Sequence, residues 1–74
     1  MELKNYNEAL SIGKLAIREN PESHTLLARM SALYNELNNF EEAKKSAKLS
    51  LKIKRSYAPA SFELGIAEIN LCNK

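Results

Sequence analysis

The chain has 74 residues, a net charge of +2, one cysteine and one histidine. A chain this short buries only about 60% of the surface its unfolded form exposes, and it lacks the cysteines and histidines for an internal disulfide or a tetrahedral zinc site. An apolar share of 45% excludes a disordered chain, and a charge of +2 does not by itself imply a nucleic-acid partner.

The elements read as four helices. The first is predicted from about Asn5 to Glu19 and stops at Asn20-Pro21, because the residue before a proline is pushed out of the helical region. Tyr6, Ala9, Leu10, Gly13, Ala16 and Ile17 recur at spacings of three and four and share one face. The second begins after Ser23, an expected N-cap, and runs to about Leu37, with Leu26, Leu27, Met30, Leu33, Tyr34 and Leu37 on its expected buried side. Asn38-Asn39 makes the turn. The third helix is predicted from about Phe40 to Lys54. The fourth starts near Ala58-Pro59, where proline is tolerated in the first turn, and reaches about Leu71. Loops of a few residues set each helix antiparallel to the one before.

These helices repeat. Glu2-Leu3-Lys4-Asn5-Tyr6-Asn7-Glu8-Ala9 reads almost as Glu36-Leu37-Asn38-Asn39-Phe40-Glu41-Glu42-Ala43, with five of eight positions identical at an offset of 34. The same offset pairs Lys14 with Lys48, Leu15 with Leu49, Ile17 with Leu51 and Arg18 with Lys52. It also pairs small with small: Gly13 with Ala47, Ala16 with Ser50, Ser31 with Gly65. Small residues at Ala9, Ala43, Gly13, Ala47, Ser31 and Gly65 suit closely crossing helices.

A helix–turn–helix unit of this period resembles the tetratricopeptide repeat, whose pattern is W-x2-L-G-x2-Y, then A-x3-F, then P. Leu27, Met30, Ser31 and Tyr34 stand where its first part falls, Phe40 and Ala43 continue it, and Ala47 and Ser50 follow. Arg55 holds the proline place, which Pro21 fills one period earlier; Leu64-Gly65 and Tyr57-Ala58-Pro59-Ala60 resemble the opening of a further copy. The departures are the missing tryptophan and Glu68 in the place of Tyr34. The resemblance implies an all-α fold of antiparallel helix–turn–helix repeats stacked as an α-solenoid. Its phase divides the chain into a second-helix half repeat over 1–23, a complete repeat over 24–57 and a first-helix half repeat over 58–74, all in one domain. An array normally ends in a polar capping helix, so this phase predicts a segment of a longer array, or a short product whose ends a partner covers.

No residues form a catalytic constellation: there is no Gly-rich phosphate loop, no H-x-x-x-H pair and no Ser/His/Asp set, and no cofactor or metal is implied. His24 reads as a surface or capping residue and Cys72 as a small half-buried hydrophobe. Lys44, Lys48, Lys52 and Arg55 form a stripe beside Lys45 and Lys54. With no aromatic residues alternating along it, the stripe reads as a solvated face helped by a Glu41–Lys45 pair, and nucleic acid is an unlikely partner. The family places its ligand groove on the first helix of each repeat. That implies a surface of Thr25, Ala28, Arg29, Ala32, Asn35 and Glu36, continued by Phe62, Glu63, Ile66, Ile69 and Asn70. Asn35 and Asn70 are expected to bond a peptide backbone, and Ala28, Ala32 and Phe62 to accept apolar side chains; Phe62, Ile66 and Ile69 read equally well as core against a further helix.

The expected function is a non-catalytic scaffold that binds a peptide or helix of another protein. The alternative is a self-assembly unit, a homodimer or stacked oligomer joined through its terminal helices. No run approaches the ~20 apolar residues of a membrane span. With Met1–Asn20 too polar for a signal peptide and a single free thiol, the expected setting is cytoplasmic.

Overall fold

A computed structural model describes residues 3–72 of the chain, with side chains from Tyr6 onward. Among the described residues all regular structure is helical: α1 (Leu3–Glu19), α2 (His24–Glu36), α3 (Phe40–Ile53) and α4 (Ala58–Cys72). Each boundary has a local cause. Proline at 21 closes α1, and the Ser23 side chain accepts from the Leu26 N–H at 3.2 Å, capping α2 as its sequence position predicts.

The α2–α3 turn is a Schellman motif. Asn38 takes a left-handed φ of 62°, its N–H donates to the Asn35 carbonyl at 3.0 Å, and the Asn39 N–H donates to the Tyr34 carbonyl at 2.8 Å. Asparagine is among the few residues other than glycine that enter this region at modest cost, which is why Asn38 terminates the helix here. Glu41 and Glu42 in the first turn of α3 and Lys52 in its last turn complement the helix dipole. The expected Glu41–Lys45 pair does not form; Lys45 instead meets Glu42 at 3.8 Å, one of the two spacings that bring residues to the same helix face.

α2 is the central helix and meets the other three, whereas among the described residues α1 approaches α2 alone. The whole is a slab 35 × 31 × 16 Å, thin enough for two layers of helix. Antiparallel pairing is fixed at the helix ends: Tyr6 Oη donates to Glu36 Oε1 at 3.1 Å between α1 and α2, and Ser50 Oγ donates to the His24 carbonyl at 2.8 Å between α3 and α2. A third bond, Ser31 Oγ to the Ala43 carbonyl at 2.7 Å, lies fully buried where α2 and α3 cross. The core gathers Leu10, Met30, Tyr34, Ala43 and Ala67, flanked by Ile17, Leu33, Leu37 and Phe40.

Two expectations about packing are corrected. On α2 the buried residues are Leu27, Ala28, Met30, Ser31, Tyr34 and Asn35, while Leu26, Leu33 and Leu37 are only half-buried. The stripe is rotated because α4 as well as α3 lies against α2, and α1 covers the leucine side only in part. Gly65 also does not sit at a close crossing: a methyl group there would meet no atom within 4 Å. Gly13 does, since its added methyl would lie 2.3 Å from Met30 Sδ.

Candidate protein-interaction site

The residues expected to line a ligand groove fall into two groups. On α2, Ala28 and Asn35 are buried at 4% and 8% exposure, Thr25 and Ala32 are half-buried, and Arg29 and Glu36 are exposed. On α4, Phe62, Ile69 and Asn70 are exposed and Glu63 and Ile66 are half-buried. The two groups meet at one place. Asn35 Nδ2 donates both protons to Glu63, to its carbonyl at 3.0 Å and to Oε1 at 2.8 Å. That commits the amide donors to α4, and the buried Oδ1 has no partner among the described residues. Asn70 instead bonds within its own helix, Nδ2 to the Ile66 carbonyl at 2.8 Å.

What these residues do present is apolar. Phe62, Ile66 and Ile69 recur at helical spacing along α4, and Phe62 and Ile69 are 68% and 65% exposed. Single exposed hydrophobic side chains are ordinary, but residues of this size on one helical face form a continuous strip. The half-buried Gly65 lies between Phe62 and Ile69 in sequence, with open space over its α-carbon.

A second apolar surface lies between α1 and α2. Ala9, Ile12, Gly13 and Ala16 of α1 and Leu26, Arg29, Met30 and Leu33 of α2 line an open groove of about 300 Å³. Ile12, 69% exposed, forms its rim, with Leu15 also exposed nearby on α1. Periodicity alone misses this groove, because Ala9, Gly13 and Ala16 read as core. The signal that finds it is the repeat, which aligns them with Ala43, Ala47 and Ser50, all fully buried.

The remaining singled-out residues are structural or solvated. His24 packs edge-to-face on Tyr57, ring centroids 4.6 Å apart, which ties the start of α2 to the α3–α4 loop. Lys48, Lys52 and Arg55 are exposed and Lys44 is half-buried. Cys72 is an exposed free thiol. Among the described residues no group of three or more His, Cys, Asp and Glu side chains is placed to hold a metal ion, and no helix is long and apolar enough to cross a membrane. Comparison with protein-family models, with curated proteins and with solved structures finds no match to this chain.

Proposed function

We propose that the chain is a non-catalytic protein-interaction module of tetratricopeptide type, whose stacked helical hairpins receive a helical segment of a partner. The observation that carries the reading is the strip on α4 in which Phe62 and Ile69 are left in solvent on either side of the half-buried Ile66. The repeat of 34 residues and the central position of α2, packed on the helices before and after it, support the stacked-hairpin architecture. A partner helix with apolar residues at spacings of three and four fits such a strip by helix-on-helix packing.

The buried position of Asn35 moves the emphasis within the expected surface. Its donors hold α4 in place, so α4 rather than the α2 amide supplies the contacts. The test is a selection of displayed helical peptides on the folded chain, run in parallel on the Phe62→Glu/Ile69→Glu variant. Binders with an apolar face that the wild-type chain retains and the variant loses support the module. Binders that hold equally to both place the working surface elsewhere.

A further inference from the structure

The repeat makes it possible to ask, position by position, what covers each helix and what is missing. The six buried residues of α2 are Leu27, Ala28, Met30, Ser31, Tyr34 and Asn35. Their counterparts on α4 are Ser61, Phe62, Leu64, Gly65, Glu68 and Ile69, and none of these is buried. The same holds on the receiving side. Ala43, Ala47 and Ser50 of α3 and Ala60 and Ala67 of α4 are fully buried. Their counterparts are Ala9, Gly13, Ala16, Leu26 and Leu33, all of which line the open groove between α1 and α2.

The molecule therefore contains one filled joint and the two unfilled halves of another. In the filled joint α2 lies against α3 and α4: Ser31 bonds the Ala43 carbonyl, Tyr34 clusters with Ala43 and Ala67, and Asn35 bonds Glu63. Shifted by one repeat, the same joint sets Gly65 against Ala9, Glu68 against Ala9 and Leu33, and Ile69 against Arg29. We infer that the α4 strip of one copy docks into the α1–α2 groove of a second copy, head to tail, by the packing that α2 already uses within the chain. This rests on the interaction-module reading and names its occupant.

The substitutions make the second joint more apolar than the first. Gly65 in place of Ser31 leaves room on the strip, with nothing within 4 Å of an added methyl, while Leu26 and Leu33 in place of Ala60 and Ala67 add apolar surface to the groove. The open groove receives Phe62, which is larger than its counterpart Ala28. The polar pair changes character too. Where Asn35 meets Glu63, the second joint brings Ile69 onto the aliphatic stem of Arg29. The two surfaces differ, so the contact is heterologous. It propagates from copy to copy unless the rotation closes a ring.

The experiment is sedimentation of the 74-residue chain over a wide concentration range, with Phe62→Glu, which spoils the strip, and Ile12→Glu, which spoils the groove. Both side chains are exposed, so circular dichroism should show unchanged helicity; if Ile12→Glu unfolds, Arg29→Glu at the same groove replaces it. The wild-type mass should rise at least twofold with concentration, and each variant alone should stay monomeric. An equimolar mixture of the two should form a 1:1 dimer, because one intact strip and one intact groove remain. A wild-type chain that stays monomeric throughout overturns the inference, as does association that survives Ile12→Glu and is lost only in Phe62→Glu, which marks a symmetric contact of two strips. A monomeric wild-type chain that still yields strip-dependent peptide binders sinks the second copy alone and leaves the interaction module standing.

Discussion

The Ser31 hydroxyl donates to the Ala43 carbonyl at 2.7 Å across the crossing of α2 and α3, and both residues are fully buried. The contact depends on both side chains being small. A serine places its oxygen within reach of the opposite backbone, and an alanine leaves that backbone uncovered. Ser31→Ala should lose about 1 kcal/mol with the bond, while Ala43→Leu should lose about 1–3 kcal/mol by forcing the helices apart. Urea denaturation of the two variants checks the order. An Ala43→Leu midpoint equal to wild type would show that the crossing yields freely.

Asn35 makes a sharper demand, because its two amide protons answer two acceptors on Glu63. Asn35→Ala removes both bonds and should cost about 1–2 kcal/mol. Asn35→Asp should cost more near neutral pH, since it sets a buried carboxylate against the Glu63 carboxylate and carbonyl. Burial and the like charge would raise the folded pKa of that new group, so the lost stability returns as pH falls through it. Asn35→Asp should therefore melt below Asn35→Ala at neutral pH, and the two should converge near about pH 4. A pH-independent gap would mean that the new carboxylate escapes to solvent.

The two glycines both lie inside helices, Gly13 in α1 and Gly65 in α4, but in opposite environments. A methyl group on Gly65 meets no atom within 4 Å, so Gly65→Ala should gain about 0.5–1 kcal/mol from helix propensity alone. On Gly13 the same methyl would lie 2.3 Å from Met30 Sδ, and Met30 is buried in the core. The gain in propensity is then opposed by displacement of the thioether. Thermal melts should show Gly65→Ala stabilised and Gly13→Ala below it. A stabilised Gly13→Ala would show that Met30 moves aside without loss.

These contrasts mark where the sequence is informative and where it is silent. Helix ends are local events, so Pro21, the Ser23 cap and the Asn38-Asn39 turn set them within a residue or two of the observed bounds. Burial around α2 is not local. Leu26 and Leu33 look like core by hydrophobicity yet line an open groove, while Asn35, expected on a ligand groove, is buried and bonded to α4. Which flank of an amphipathic helix is buried depends on a helix some thirty residues away, and periodicity within one helix carries no record of it. The repeat does carry that record, once burial in one copy is known. The exposed strip of Phe62 and Ile69 belongs to the same lesson: both were expected either on a groove or under a further helix, and their buried counterparts Ala28 and Asn35 show what such a helix face looks like when covered.

Tyr6 and Glu36 join the start of α1 to the end of α2 through a bond of 3.1 Å, and they give the α1–α2 pairing a pH signature. The hydrogen bond to Glu36 holds the Tyr6 phenol above its ordinary value of 10.0, with burial and the carboxylate charge adding in the same direction. A tyrosine whose folded pKa is raised binds its proton more tightly in the folded chain. The contact therefore contributes its full stability below the unfolded pKa, and that contribution is lost as pH rises through the folded pKa. Tyr6→Phe and Glu36→Gln should each flatten the decline of melting temperature in alkali. In an ultraviolet titration at constant fold, Glu36→Gln should also bring one tyrosine ionisation down toward the ordinary value. A titration curve unchanged by Glu36→Gln would mean that the phenol and carboxylate do not meet in solution, and that α1 is held by Leu10 in the core and Ile17 packed beside it rather than by this bond.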